Sequence, residues 1–134
     1  MNLGDFIDSL EQHITAALGT ELTVSAQLQG TDGVPMVANT AIVSVFPTAT
    51  VNTPMRRAVV DSFMVSFSYS LPAAAPKTAR KEWLRLEALL ITEIESFRYG
   101  VWGEIDWANT TRSYAPPYAV SLITFTSTRE VQNG

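Results

Sequence analysis

Leu3, Phe6, Ile7, Leu10, Ile14, Ala17 and Leu18 recur at the spacing of one helical face, with Asp5, Asp8, Glu11 and Gln12 on the other. The pattern predicts an amphipathic helix over 3–18. Its early acids suit the positive end of the helix dipole, and Gly19 is placed to stop it. The period then falls to two: Leu22, Val24, Ala26 and Leu28 alternate with Thr23, Ser25 and Gln27, predicting a half-buried strand over 20–28. Glycines and a proline make 29–40 a loop. A second strand, AIVSVF over 41–46, is closed by Pro47, and 47–56 reads as another loop.

The longest strand signal spans 57–71. Val59, Phe63, Val65, Phe67, Tyr69 and Leu71 share one face, with Asp61 in their row; Ser62, Ser66, Ser68 and Ser70 share the other with Val60 and Met64. The first face belongs to a core. The serine face is small and uncharged, and suits packing on another chain. PAAAPK (72–77) breaks the strand, and a second helix is expected over 78–97. Its stripe of Trp83, Leu86, Leu90, Ile94 and Phe97 is widened by Leu84, Leu89 and Ile91, so it needs cover beyond one sheet face. The segment 99–118 reads as a short strand, 101–107, followed by loop. The last strand, 119–130, has Val120 and Leu122 on one face and Ile123 and Phe125 on the other. This order predicts a single α+β domain over 1–134: a small mixed or antiparallel sheet of four to five strands with two helices packed on one face.

With 134 residues and 46% hydrophobic content, a real core is expected, but only 16% of residues are charged, against a typical ~25%. Such a surface is expected to be partly covered by neighbours. The net charge of −4 argues against a dedicated nucleic-acid binder. Absence of cysteine excludes disulfides, thiolate nucleophiles and cysteine metal sites. No apolar run approaches the roughly 18 residues of a membrane span, and the acidic, amphipathic opening segment does not read as a signal or transit peptide. Synthesis and retention in a cytoplasm, without a membrane partner, is the expectation.

One stretch suggests chemistry. GEIDWAN (103–109) places Glu104 and Asp106 two apart between Trp102 and Trp107. It resembles the E-I-D-x-x-E motif of laminarinase-type glycoside hydrolases, in which the outer glutamates are nucleophile and acid/base. Asn109 stands at the acid/base position here, and an amide cannot protonate a leaving group. The motif covers only seven residues, and that family's two-sheet sandwich is longer than this chain. The competing reading is an alternating strand, with Val101, Gly103, Ile105 and Trp107 inward and the two acids outward. His13, the only histidine, gives a metal site a single nitrogen ligand, and no nucleotide-binding glycine motif is present. No catalytic residues, metal or cofactor are expected.

The second helix has Lys77, Arg80, Lys81 and Arg85 near its start and Glu93 and Glu95 near its end, opposite to what the macrodipole favours. Glu82 and Glu87 offset part of this locally. A head-to-tail assembly would offset more, with the basic start of one helix meeting the acidic end, or Glu104 and Asp106, of the next subunit. Arg56 and Arg57 before the long strand are either a charged strand entrance or a grip on an acidic partner. Asp61 and Glu87 interrupt apolar rows, so each needs an arginine, an interface, or a place at the core's edge.

The element order resembles that of bacteriophage tail-terminator (tail-completion) proteins: amphipathic helix 3–18, strands 20–28 and 41–46, long strand 57–71, helix 78–97 and final strand 119–130. The resemblance rests on architecture, size and Ser/Thr-rich texture, and leaves 99–118 unplaced. It implies a virion structural protein made in the host bacterial cytoplasm. It would form a closed ring, commonly a hexamer, between the tail tube protein and the neck or head–tail connector. DNA would pass through an acidic lumen without specific binding. Loops 29–40 and 47–56 would dock the partners. Another neck, head-completion or tail-tube component is the first alternative, and a small carbohydrate-binding or hydrolytic domain using Glu104 and Asp106 the second.

Overall fold

A computed structural model describes residues 2–19, 23–24, 41–53, 57–70, 76–115 and 118–130. The elements run α1 (Leu3–Leu18), β1 (Thr23–Val24), β2 (Ala41–Thr53), β3 (Ala58–Ser70), α2 (Pro76–Ser96), β4 (Trp102–Ala115) and β5 (Tyr118–Glu130). They build the expected α+β fold: one five-stranded sheet in the order β1-β2-β3-β5-β4, with both helices on one face. β1 is parallel to β2, and every other pairing is antiparallel. β3 and β4 therefore point the same way with β5 between them. Parallel strands cannot be joined by a hairpin, and α2 supplies the crossover.

α1 matches its predicted bounds because both ends are fixed locally. The Asn2 side chain accepts from Asp5 N at 2.9 Å, and the Asp5 carboxylate accepts from Asn2 N at 3.0 Å, a reciprocal cap. Gly19 N donates to Thr15 O at 2.9 Å, and a Cβ on Gly19 would strike that carbonyl. Phe6, Ile7, Leu10, Ile14 and Leu18 are buried. α2 begins two residues earlier than expected, at Pro76, whose missing N–H costs nothing in a first turn.

The core lies between helices and sheet. Val43 and Val45, then Phe63, Val65, Phe67 and Tyr69, then Ala119, Ile123 and Phe125 face Leu10, Ile14, Trp83, Leu86, Leu90 and Ile94. Phe6 closes one end, with ring centroids 4.9 Å from Trp102, 5.6 Å from Phe63 and 5.7 Å from Phe97. The wide stripe of α2 is only partly covered: Ile91 is buried and Leu89 packs on the core, but Leu84 is 40% exposed.

Three expectations are corrected. β2 does not end at Pro47 but continues to Thr53, with a register irregularity between Pro47 and Ala49. Residues 47–52 are exposed, and an outer strand tolerates a missing donor on its open side. The docking loop expected at 47–56 is thus strand as far as Thr53; Pro54, Met55 and Arg56 lie outside the described residues, as do loop 29–40 and the expected strand 20–28 except β1. The segment 99–118 is not mostly loop. Gly100, at φ 54, makes a tight turn closed by Trp102 N donating to Tyr99 O at 3.1 Å, and β4 then runs 14 residues. Finally, Trp102 points inward in place of Val101 and Gly103, because the register shifts between Trp102 and Ile105; Trp107 keeps the phase of Ile105, paired with Phe125, but is 48% exposed.

Candidate assembly surfaces

The two carboxylates that break apolar rows each meet an arginine on a far strand. Asp61, fully buried, accepts from Thr50 Oγ1 at 2.6 Å, Trp102 Nε1 at 2.8 Å and Arg129 Nε at 2.6 Å. The Arg129 guanidinium also lies 5.4 Å from the Trp102 ring. Burial pushes the Asp61 carboxyl up, but the three hydrogen bonds and the Arg129 charge outweigh it and hold the group below its ordinary value. Glu87, 3% exposed, takes Arg112 Nε at 2.9 Å and Nη2 at 2.5 Å, and Ser121 Oγ at 2.5 Å. Trp83 Nε1 donates to Ser121 Oγ at 3.0 Å. The Asp61 cluster ties β2, β3, β4 and β5 together, the Glu87 cluster ties α2 to β4 and β5, and in each the buried carboxylate is met by an arginine.

GEIDWAN is different. Glu104 is 80% exposed, with Arg98 Nη2 at 3.8 Å its one ion-pair partner among the described residues, and Asp106 is exposed. Trp107 is 48% exposed, and its Nε1 donates to Thr110 Oγ1 at 2.9 Å. Trp102, the other framing tryptophan, is buried and committed to Asp61. The tryptophans therefore do not frame one pocket around the two acids.

His13 is also structural. Its ring lies 5.2 Å from Phe97, and Nε2 is 3.2 Å from both the Glu93 carbonyl and carboxylate. Among the described residues no group of three or more His, Cys, Asp and Glu is arranged to hold a metal.

The sheet register places the remaining charges. β2 runs from Ala41 toward the Arg57 turn, and β3 returns from it; Trp102 and Arg129 share with Asn52 and Val59 the last row that crosses all four long strands. α1 starts at this end, as the packing of Phe6 on Trp102 shows, and α2 finishes here, with Phe97 on Phe6. Asp8, Glu93, Glu95, Glu104, Asp106 and Glu130 therefore gather at the Arg57 end. Lys77, Arg80 and Lys81 project from the opposite end, about 27 Å along α2 at 1.5 Å per residue. All three are exposed and carry no ion pair among the described residues. The molecule is charge-polarised along its strands. Arg57 is an exposed cation in the acidic half, held at φ 47 in the left-handed region. Of the residues expected at interfaces, Arg56 alone lies outside the described residues.

Away from the helices, the opposite sheet face carries Ile42, Phe46, Val60, Met64, Val120 and Leu122 among serines and threonines, with no charge on β2, β3 or β5 short of Glu130. Ser66 and Ser68 are buried on this face, and the hydroxyls of cross-strand partners Ser44 and Ser66 have no hydrogen-bond partner among the described residues. Arg98, Arg112 and Arg129, which settle the electrostatics of β4 and β5, were not legible as partners: nothing in local spacing joins Arg129 to Asp61, 68 residues away.

No protein-family model matches the chain, and no curated protein does. A solved structure does: a chain from the virion of a native gene transfer agent particle aligns with TM-score 0.58 at 15% identity, covering 91% of this chain and 92% of that one. At this identity the likeness is one of fold, and the fold is shared essentially end to end.

Proposed function

We propose that this chain is a structural protein of a virion, and specifically a tail terminator. Copies close into a ring, commonly a hexamer, that caps the tail tube and joins it to the neck or head–tail connector. The observation that carries the reading is the end-to-end fold match to a virion component. The charge polarity fits it. Copies standing side by side around a ring present Lys77, Arg80 and Lys81 on one rim and Glu93 and Glu95 on the other, so the rims offer different surfaces to different partners. Glu104 and Asp106, on the outer strand β4, lie toward the flanks between neighbours. An overall negative charge lets DNA pass the lumen without phosphate-gripping contacts. No catalytic step is needed for this role, and the protein resides in the virion after synthesis in the host bacterium.

Removing the chain from a particle-producing strain tests the terminator role. The expected result is tail tubes of uncontrolled length, unjoined to heads, with normal particles restored by re-expression. Tubes of normal length in the absence of the chain would contradict this role and move the assignment to a neck, head-completion or tube component.

A further inference from the structure

An outermost strand with unpaired N–H and C=O groups is a template for another strand, and soluble proteins usually keep such edges short, charged or covered. This sheet has two open edges. Among the described residues β4 bonds only β5, on one side, along 14 residues. β2 is flanked by β1 only at Ile42 and Val43 among the described residues, and its far half, 47–52, is exposed. The described residues include five exposed large apolar side chains. Four lie on or beside these edges: Val101 at 51%, Trp107 at 48% and Tyr114 at 55% with β4, and Val51 at 57% on β2.

We propose that the open edge of β4 docks a second copy of this chain, pairing with the outer edge of its β2 so that the sheet continues from copy to copy. This rests on the ring reading and says how the ring closes. β2 and β4 run in opposite directions, because β3 and β5 alternate between them, so two copies in the same orientation meet antiparallel. With no stagger, the sheet rows continue. Trp107 stands level with Pro47 of the neighbour, Ile105 with Thr50 and Trp102 with Asn52. Asp106 then stands level with Ala49 of the neighbour and Glu104 between the rows of Thr50 and Asn52, so the two acids line the seam along the exposed half of β2. Pro47 lacks an N–H, so backbone pairing concentrates on residues 49–53. The contact is heterologous, using two different surfaces, and closes when the rotation per copy closes. A two-fold β4–β4 pair would instead leave the β2 edge and its exposed Val51 unused.

The chain has no cysteine, which permits a clean test with a short bis-maleimide cross-linker. Asn52→Cys and Glu104→Cys are made singly and together, and the oligomer of each is followed by native mass spectrometry. Within one copy the two positions are three strand spacings apart, about 14 Å, so linkage reports a neighbour. The expected result is cross-linked dimers when the two single variants are mixed, a ladder of higher multimers from the double variant, and no linkage from either single variant alone. Dimers from Glu104→Cys alone would show the two-fold pair and overturn the proposal. Intact rings without a ladder would overturn it while leaving the ring reading standing. Absence of any oligomer would overturn both.

Discussion

Asp61 joins four of the five strands through one buried carboxylate. Its carboxylate joins β2 through Thr50, the start of β4 through Trp102 and the end of β5 through Arg129. Removing one partner of a buried charge pair leaves the other uncompensated. Asp61→Asn keeps the size but turns an amide N–H toward a cluster made of donors. It should cost about 3 kcal/mol, read as a lower urea midpoint at unchanged slope. The pH dependence follows from the depressed pKa. The unfolded carboxyl titrates near 3.9 and the folded one lower, so the contribution is full above about pH 4 and is lost as pH falls through the folded value. Glu11 has the opposite sign, raised by burial and then by Asp8. Comparison with Asp61→Asn, in which Glu11 is unchanged, isolates the Asp61 share: the gap in midpoint between the two proteins should shrink below pH 4. A gap independent of pH would contradict the assignment.

At the scale of elements, legibility tracked burial. α1 was readable to the residue because one face is buried along its whole length and its caps are local. β3 and β5 were readable because every second residue enters the core. β2 and β4 were misread where burial stops. Beyond Val45 and beyond Ile105 neither strand sends a continuous row into the core, so alternation vanishes although the backbone stays paired. Pro47 and the glycines around Trp102 then carry a breaker signal that an outer strand can absorb. The acids of GEIDWAN were legible as exposed, but not the committed role of Trp102. α2 poses the converse case. Its first turn has no acid and its last turn no base, which disfavours an isolated helix. Lys77→Glu, in the first turn, should therefore raise stability of the single copy by a few tenths to about 1 kcal/mol while weakening contact at the basic rim. Thermal melting read beside partner or particle incorporation checks this. Lowered melting, or raised melting with unimpaired incorporation, would contradict the idea that the basic start is kept for assembly.

At the scale of the whole molecule, three features point outward: charge separated along the strand axis, two open sheet edges holding most of the exposed apolar side chains, and an opposite sheet face with scarcely any charge. The fold they decorate spans the same length as a virion chain. A protein that works alone has reason to blunt such edges, whereas one that works in a ring uses them. The most direct measurement is native mass spectrometry of the purified protein over a concentration series, with negative-stain imaging of the same samples. A single closed oligomer with a central opening is the expected result. A strict monomer at every concentration, or open-ended filaments, would contradict the ring.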